Sequence, residues 1–433
     1  MLRRIPHALG SRGRRGLILV SVTLLAAVWP VAAQDLPMAD AGTVGLSPAG
    51  LARATAGLQA HVDAGDIAGV VAAVVREGRL VYFEALGQLD LETEESMPED
   101  ALFRMYSMTR PVTSLAAMIL WEEDAFELND PIARYLPQFA DQQVFVDAAE
   151  ASFERTRARQ GEITVEHLLL HTSGLGSRSS RIYRAEGVRL RSITTAEMVD
   201  NAARMPLFED PGTRWRYGIS TTILGRLVEV WSGTPLDEFL EARVFEPLGM
   251  TDSVFWVDPS RAGRFGPVYR PSPDGDLRPH AIEEVPFTER APLIEGGVGL
   301  AMSTMDYLRF SQMFLNGGVL DGRRVLQSDT VDLMTANRVP DALMPIGFGR
   351  PMRGTGWSLG FCVVMDASAY AYPVSDGEFW WDGSAGTRFW IDPVEQMVTI
   401  VNAQVSPSGG NGFREEFKTR VYEAIVEPAV PRH

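Results

Sequence analysis

Phe103-Arg104-Met105-Tyr106-Ser107-Met108-Thr109-Arg110-Pro111-Val112-Thr113 sets a serine immediately ahead of a helical pattern that Leu115, Ala116 and Ile119 continue. An isolated serine at such a place caps a helix. The same position also lets the helix N-terminus stabilise negative charge on the side chain. What surrounds the segment decides between the two. Upstream, Ser47-Pro48 opens a helix with Leu51, Leu58 and Val62 on its apolar face and Gly65 at its end. Residues 69–75 and 80–85 are apolar and β-branched, and Arg76-Glu77-Gly78-Arg79 joins them as a hairpin. Residues 111–297 carry mostly helical pattern, broken by Asp210-Pro211-Gly212 and Ser272-Pro273-Asp274-Gly275. Strand pattern returns at 357–364, 379–381, 387–391 and 397–401, and a closing helix is expected over 413–426. The expected fold class is therefore α/β: an antiparallel sheet flanked by helices, formed from both chain ends, with an inserted, mostly helical lobe. The α/β lobe spans about 47–115 and 297–433, and the helical lobe about 116–296.

The N-terminus reads as an export signal. Arg3, Arg4, Arg12, Arg14 and Arg15 precede an apolar run from Leu17 to Val28, and Val31-Ala32-Ala33 offers a small-residue cleavage site. A run of about twelve residues falls short of the roughly 20 that span a membrane. Residues 1–33 are thus expected to be removed, leaving 34–433 as one domain with no membrane span, in the bacterial periplasm or outside the cell. Losing the five arginines takes the net charge from −16 to about −21. Nucleic acid is excluded as a partner by that charge. Cys362 stands alone, so no internal disulfide forms. His7, His61, His167, His171, His280 and His433 include one close pair and no cysteine cluster, so neither a metal nor another cofactor is expected. Lys418 is the only lysine, and a mechanism that needs a neutral amine has almost nowhere to find one.

The segment around Ser107 resembles the Ser-x-x-Lys element of class C β-lactamases and the related family VIII carboxylesterases. Four further stretches match landmarks of that family in order: residues 163–175 (ITVEHLLLHTSGL), Pro247-Leu248-Gly249-Met250, Gly296-Gly297-Val298-Gly299-Leu300 and Gly386-Thr387-Arg388-Phe389-Trp390. The resemblance implies a β-lactamase/transpeptidase-like fold and makes Ser107 the nucleophile, with Tyr106 beside it against the substrate. Tyr217-Gly218-Ile219-Ser220 resembles the family's Tyr-x-Asn element. By that resemblance Tyr217 is the base and Ile219 replaces the asparagine, so a polar contact to substrate is either missing or supplied by Ser220. A phenol must lose its proton to act so, and adjacent positive charge is expected to lower its pKa.

Trp381-Asp382-Gly383-Ser384 stands where β-lactamases have Lys-Thr-Gly and the esterases Trp-Gly-Gly, so Trp381, Asp382 and Gly383 are expected to line the substrate site. A lysine there would attract a β-lactam carboxylate, whereas an indole offers an apolar wall. The resemblance implies that the backbone NH groups of Ser384 and Ser107 form the oxyanion hole. Arg110 stands where the family has lysine, one helical turn from the serine. Arginine stays protonated in proteins and cannot be the base. It is left to orient Ser107 and to act electrostatically on Tyr217.

Gly356-Trp357-Ser358-Leu359-Gly360 also matches a nucleophile elbow, but that elbow needs a following helix and a downstream histidine. Here a strand pattern follows, and the only later histidine is His433. The expected activity is hydrolysis of a small or medium carboxylic ester through an acyl-enzyme on Ser107. Arg110 and Ile219 keep a catalytically silent exported ligand-binding protein as one alternative; hydrolysis of a β-lactam or D-amino-acid peptide is the other.

Overall fold

A strand buried on both faces reads as continuous apolar sequence, and Gly69–Arg76 is one: Val70 through Val75 are fully buried. It turns back into Arg79–Asp90, the expected hairpin with a longer second arm. Its other edge pairs antiparallel with Met397–Ala403, from Val70 opposite Ala403 to Arg76 opposite Met397. The two ends of the chain thus close one sheet. The computed structural model describes residues 36–408 and 410–429. The expected signal segment, 1–33, lies outside the described residues, as does His433.

Among the described residues the sheet has eight strands. Their order is Thr355–Trp357, Cys362–Val364, Phe379–Asp382, Thr387–Asp392, Met397–Ala403, Gly69–Arg76, Arg79–Asp90 and Glu95–Ser96. Residues opposite one another across antiparallel pairs share a face. The register aligns Phe83, Ala73, Ile400, Phe389 and Trp381 on one face, and Tyr82, Val74, Thr399, Trp390 and Trp380 on the other. The first face takes the Thr304–Leu315 helix, whose Tyr307 ring lies 4.8 Å from Phe389. The second takes the Pro48–Asp63 and Phe413–Glu423 helices, with Phe417 5.7 Å from Tyr82. Ser47 caps the first of these as its sequence requires, its hydroxyl accepting the Gly50 NH at 3.2 Å. The antiparallel sheet with helices on both faces, drawn from both chain ends, is the architecture expected.

Two local expectations fail. The run 357–364 is not one strand: Ser358-Leu359-Gly360 turns the chain, with the Ser358 NH donating to the Phe361 carbonyl at 2.8 Å and Gly360 at φ +125°. Only a residue without a Cβ tolerates that angle readily. The inserted lobe holds helices such as Thr195–Arg204 and Ser220–Ser232, yet much of it is irregular, and Tyr269–Pro271 pairs with Leu277–Pro279 as a small ribbon. Proline removes helix hydrogen bonds, and Pro267, Pro271, Pro273, Pro279 and Pro286 crowd this stretch. A second ribbon, Leu102–Arg104 against Ala301–Ser303, leads directly into the Ser107 segment.

Candidate active site

Tyr106–Met108 forms a single 3₁₀ turn that runs without a break into the Thr109–Glu122 helix, so Ser107 sits at a helix N-terminus. The turn is held from three sides. The Met105 NH donates to the Leu300 carbonyl at 2.9 Å, the Leu300 NH to the Thr109 hydroxyl at 3.1 Å, and the Tyr307 hydroxyl to the Met108 carbonyl at 3.0 Å. Tyr106 takes φ +43°, a left-handed conformation costly for an aromatic residue. Met105, Tyr106, Met108, Thr109 and Arg110 are buried, while Ser107 alone among them reaches solvent. A buried turn that exposes only its serine is what a nucleophile needs.

Tyr217 comes from the loop ahead of the Ser220–Ser232 helix and meets this serine. Its hydroxyl lies within hydrogen-bonding reach of the Ser107 and Arg110 side chains. It also accepts the Trp381 indole NH at 2.8 Å. Arg110 is 5% exposed; its Nη1 donates to the Thr221 hydroxyl at 3.0 Å, and its guanidinium carbon lies 4.2 Å from the centre of the Tyr217 ring. Sequence reasoning expected positive charge to bring the Tyr217 pKa down. Arg110 does act in that direction, but burial outweighs it and the phenol is held above its usual value. Burial is a tertiary property, which is why the local pattern misjudged the net sign.

The Trp381 turn closes the other side of the cleft. Gly383 packs so tightly that a Cβ there would fall 2.4 Å from the Met105 carbonyl, and this contact draws the turn holding Ser384 against the Ser107 segment. Ser384 itself is exposed in that turn. Asp382 does not line the cleft with Trp381. Strand alternation turns it toward the opposite face, where Arg414 Nη1 meets it at 3.2 Å. Ile219 and Ser220 are also withdrawn: they begin a packed helix, are 2% and 0% exposed, and the Ser220 hydroxyl lies 2.9 Å from that of Ser173. Of the two alternatives for the asparagine's polar contact, supply by Ser220 is closed at the cleft surface, because that hydroxyl is buried.

The structure adds residues that the sequence did not single out. His171 is buried with its ring 4.6 Å from Tyr217, and burial together with Arg110 drives its pKa well down, so it is neutral. Its sequence neighbour His167 is spent elsewhere, accepting the Thr164 NH at a helix cap. Phe348, 56% exposed, stands edge-on to Tyr217 at 5.3 Å and completes an aromatic wall with Trp215, Trp357 and Trp381. Nothing in the periodicity of its glycine-flanked loop marks Phe348 for this role. The competing elbow is also resolved: Ser358 is fully buried in a hairpin turn, its hydroxyl bonded to the Phe361 carbonyl at 3.2 Å. The Cys362–Val364 strand, not a helix, follows directly.

Residues 52–421 match the family described as Beta-lactamase. The chain is 34% identical over 353 residues to Protein Rv1367c of Mycobacterium tuberculosis, covering 80% of this chain and 88% of that one. It is 29% identical over 372 residues to Esterase EstB of Burkholderia gladioli, with the same coverage. Among solved structures it is similar to EstCE1, a hydrolase with promiscuous acyltransferase activity, at TM-score 0.76 and 25% identity, over 86% of this chain and 99% of that one.

Proposed function

This chain belongs to the beta-lactamase family and is a serine hydrolase of the acyl-transfer kind, and from that premise we propose that it cleaves small or medium carboxylic esters through an acyl-enzyme on Ser107. The observation that carries this reading is the meeting of Ser107, Tyr217 and Trp381 at one hydroxyl. Ser107 Oγ attacks the ester carbonyl carbon and passes its proton to the Tyr217 phenolate oxygen. The developing oxyanion is taken by the backbone NH groups of Ser107 and Ser384. Collapse breaks the bond to the alcohol oxygen, which leaves with the proton from Tyr217. Water, or another alcohol, then repeats the sequence on the acyl-enzyme with Tyr217 again as base. Arg110 steadies the phenolate through its charge and its place over the ring.

The aromatic wall selects the substrate. Phe348, exposed and backed by the buried rings of Trp381, Trp215 and Trp357, offers apolar surface where a cation would be needed to hold a β-lactam carboxylate. Short-chain aryl esters are therefore expected to give a higher kcat/KM than any penicillin or cephalosporin in side-by-side steady-state assays. A β-lactam that outperforms the simple esters would reverse the assignment.

One observation favours a second reading. A buried phenol beside a residue that cannot deprotonate is poorly suited to base catalysis, and this fits a silent protein that keeps the cleft to bind an acyl or peptide ligand. Export to the periplasm or beyond, proposed from residues 1–33, suits either reading.

A further inference from the structure

Residues 346–352 fold back on themselves at the edge of the cleft. Ile346 is buried in the main core, the Met352 NH donates to its carbonyl at 2.8 Å, and Gly347 bridges antiparallel to Pro351 just inside that bond. Phe348 stands at the tip. A loop pinned at its base presents its tip residue in a fixed place, which is how scaffolds carry recognition side chains.

A single exposed phenylalanine on a protein surface needs no explanation. This one is braced against the catalytic base. Its ring stands edge-on to Tyr217 at 5.3 Å and 76° and to Trp215 at 5.4 Å and 81°, and lies 6.1 Å from Trp381. Tyr217 and Trp381 are the pair joined by the bond from indole NH to phenol oxygen, so Phe348 packs over both partners of that bond. The tryptophans behind it are buried, whereas Phe348 keeps more than half of its surface in solvent. A ring held by other rings on one side and open on the other is a ready subsite for an apolar group.

The order of bond making and breaking says which half of the substrate meets it. Ser107 Oγ becomes bonded to the acyl carbon. When the tetrahedral intermediate collapses, the bond from that carbon to the alcohol oxygen breaks, and the oxygen takes the proton that Tyr217 Oη accepted from Ser107. The alcohol oxygen must therefore lie within a hydrogen bond of Tyr217 Oη, roughly 3 Å. Its substituent starts from the Tyr217 side of the cleft, where Phe348 offers exposed apolar surface.

We propose that Phe348 determines specificity for the alcohol half of the ester: it receives an apolar, preferably aromatic, group a short methylene link away from the ester oxygen. The favoured substrates are then esters of arylalkyl alcohols, rather than esters that carry the same ring on the acid. Phe348 touches neither the reacting carbon nor the proton, and acts by binding alone. The assignment deepens the ester-hydrolase reading and rests on Ser107 and Tyr217 having the roles given above.

Two isomeric esters test it. In 2-phenylethyl butyrate the ring is on the alcohol, and in ethyl 4-phenylbutyrate the same ring is on the acid, so overall size and apolarity are matched. Acid release is followed by pH-stat with the full chain. In Phe348→Ala the ratio of kcat/KM for the first ester over the second is expected to fall about tenfold, the loss typical of one ring contact in a binding site. Phe348→Leu, which keeps apolar bulk without the ring, should fall part of the way, and Phe348→Tyr should stay within about twofold of the wild-type ratio. Because each ratio compares two substrates on one preparation, partial loss of folded enzyme cancels, and thermal melts identify a variant that does not fold. A ratio that rises would place Phe348 against the acyl half and overturn the proposal. An unchanged ratio in both Phe348→Ala and Phe348→Leu would overturn it too. Either result leaves the hydrolase reading standing, whereas a wild type inert to both isomers and to fluorophosphonate overturns that reading and this proposal with it.

Discussion

At pH 7 the Arg110→Lys enzyme is expected to turn over short-chain aryl esters about 10²- to 10⁴-fold faster than the wild type, the range typical of a general base supplied by one side chain. Guanidinium does not deprotonate, so Arg110 can help only through its charge. Lysine at the same place enters a site where burial lowers the pKa of its occupant and outweighs the opposing effects of Tyr217 and Glu295. The net effect favours the neutral amine, which can take the proton of Ser107 from one helical turn away. The cost is the loss of a planar group stacked on Tyr217 and bonded to Thr221. Steady-state kcat for both enzymes at matched pH decides the balance. A fall in activity would show that the site is built around the guanidinium and that Arg110 works through Tyr217.

Tyr217→Phe is expected to lower kcat/KM by about 10²- to 10⁴-fold at alkaline pH and to remove the pH dependence that distinguishes the wild type. A phenol of ordinary pKa is less than about 0.1% ionised at pH 7, and burial makes Tyr217 harder to ionise still. Since the phenolate is the active form, the wild-type rate should climb about tenfold per pH unit until the raised pKa is passed. The sign for stability is opposite. Tyr217 binds its proton more tightly folded than unfolded, so the stability it contributes is present below the usual phenol pKa and is lost as pH rises through the raised one. Initial rates across the alkaline limb therefore separate ionisation from unfolding. A Tyr217→Phe profile that keeps the limb would assign the base elsewhere.

How far these residues were legible in the sequence depended on how local their signal is. The Gly69–Arg76 hairpin could be read because burial on both faces leaves an unbroken apolar run, but its pairing with Met397–Ala403 joins residues more than three hundred apart and leaves no local trace. Ser107, Tyr217 and Trp381 were found through motif resemblance, and the structure brings all three together. Asp382 and Ser220 sit in the same motifs, yet strand alternation and helix packing turn them away. Phe348 reaches the cleft only when a distant loop folds onto it, so its role could not be anticipated from spacing. The run 357–364 was read as one strand because its apolar residues hid the turn at Gly360.

The central claim is that the covalent chemistry occurs at Ser107, and labelling with a fluorophosphonate followed by peptide mass mapping tests it most directly. The adduct is expected on Ser107, to vanish in Ser107→Ala and to persist in Ser358→Ala. An adduct on Ser358 would contradict the assignment. A wild type inert to both the fluorophosphonate and esters, with Arg110→Lys equally inert, would contradict the hydrolase reading itself and leave the ligand-binding one in its place.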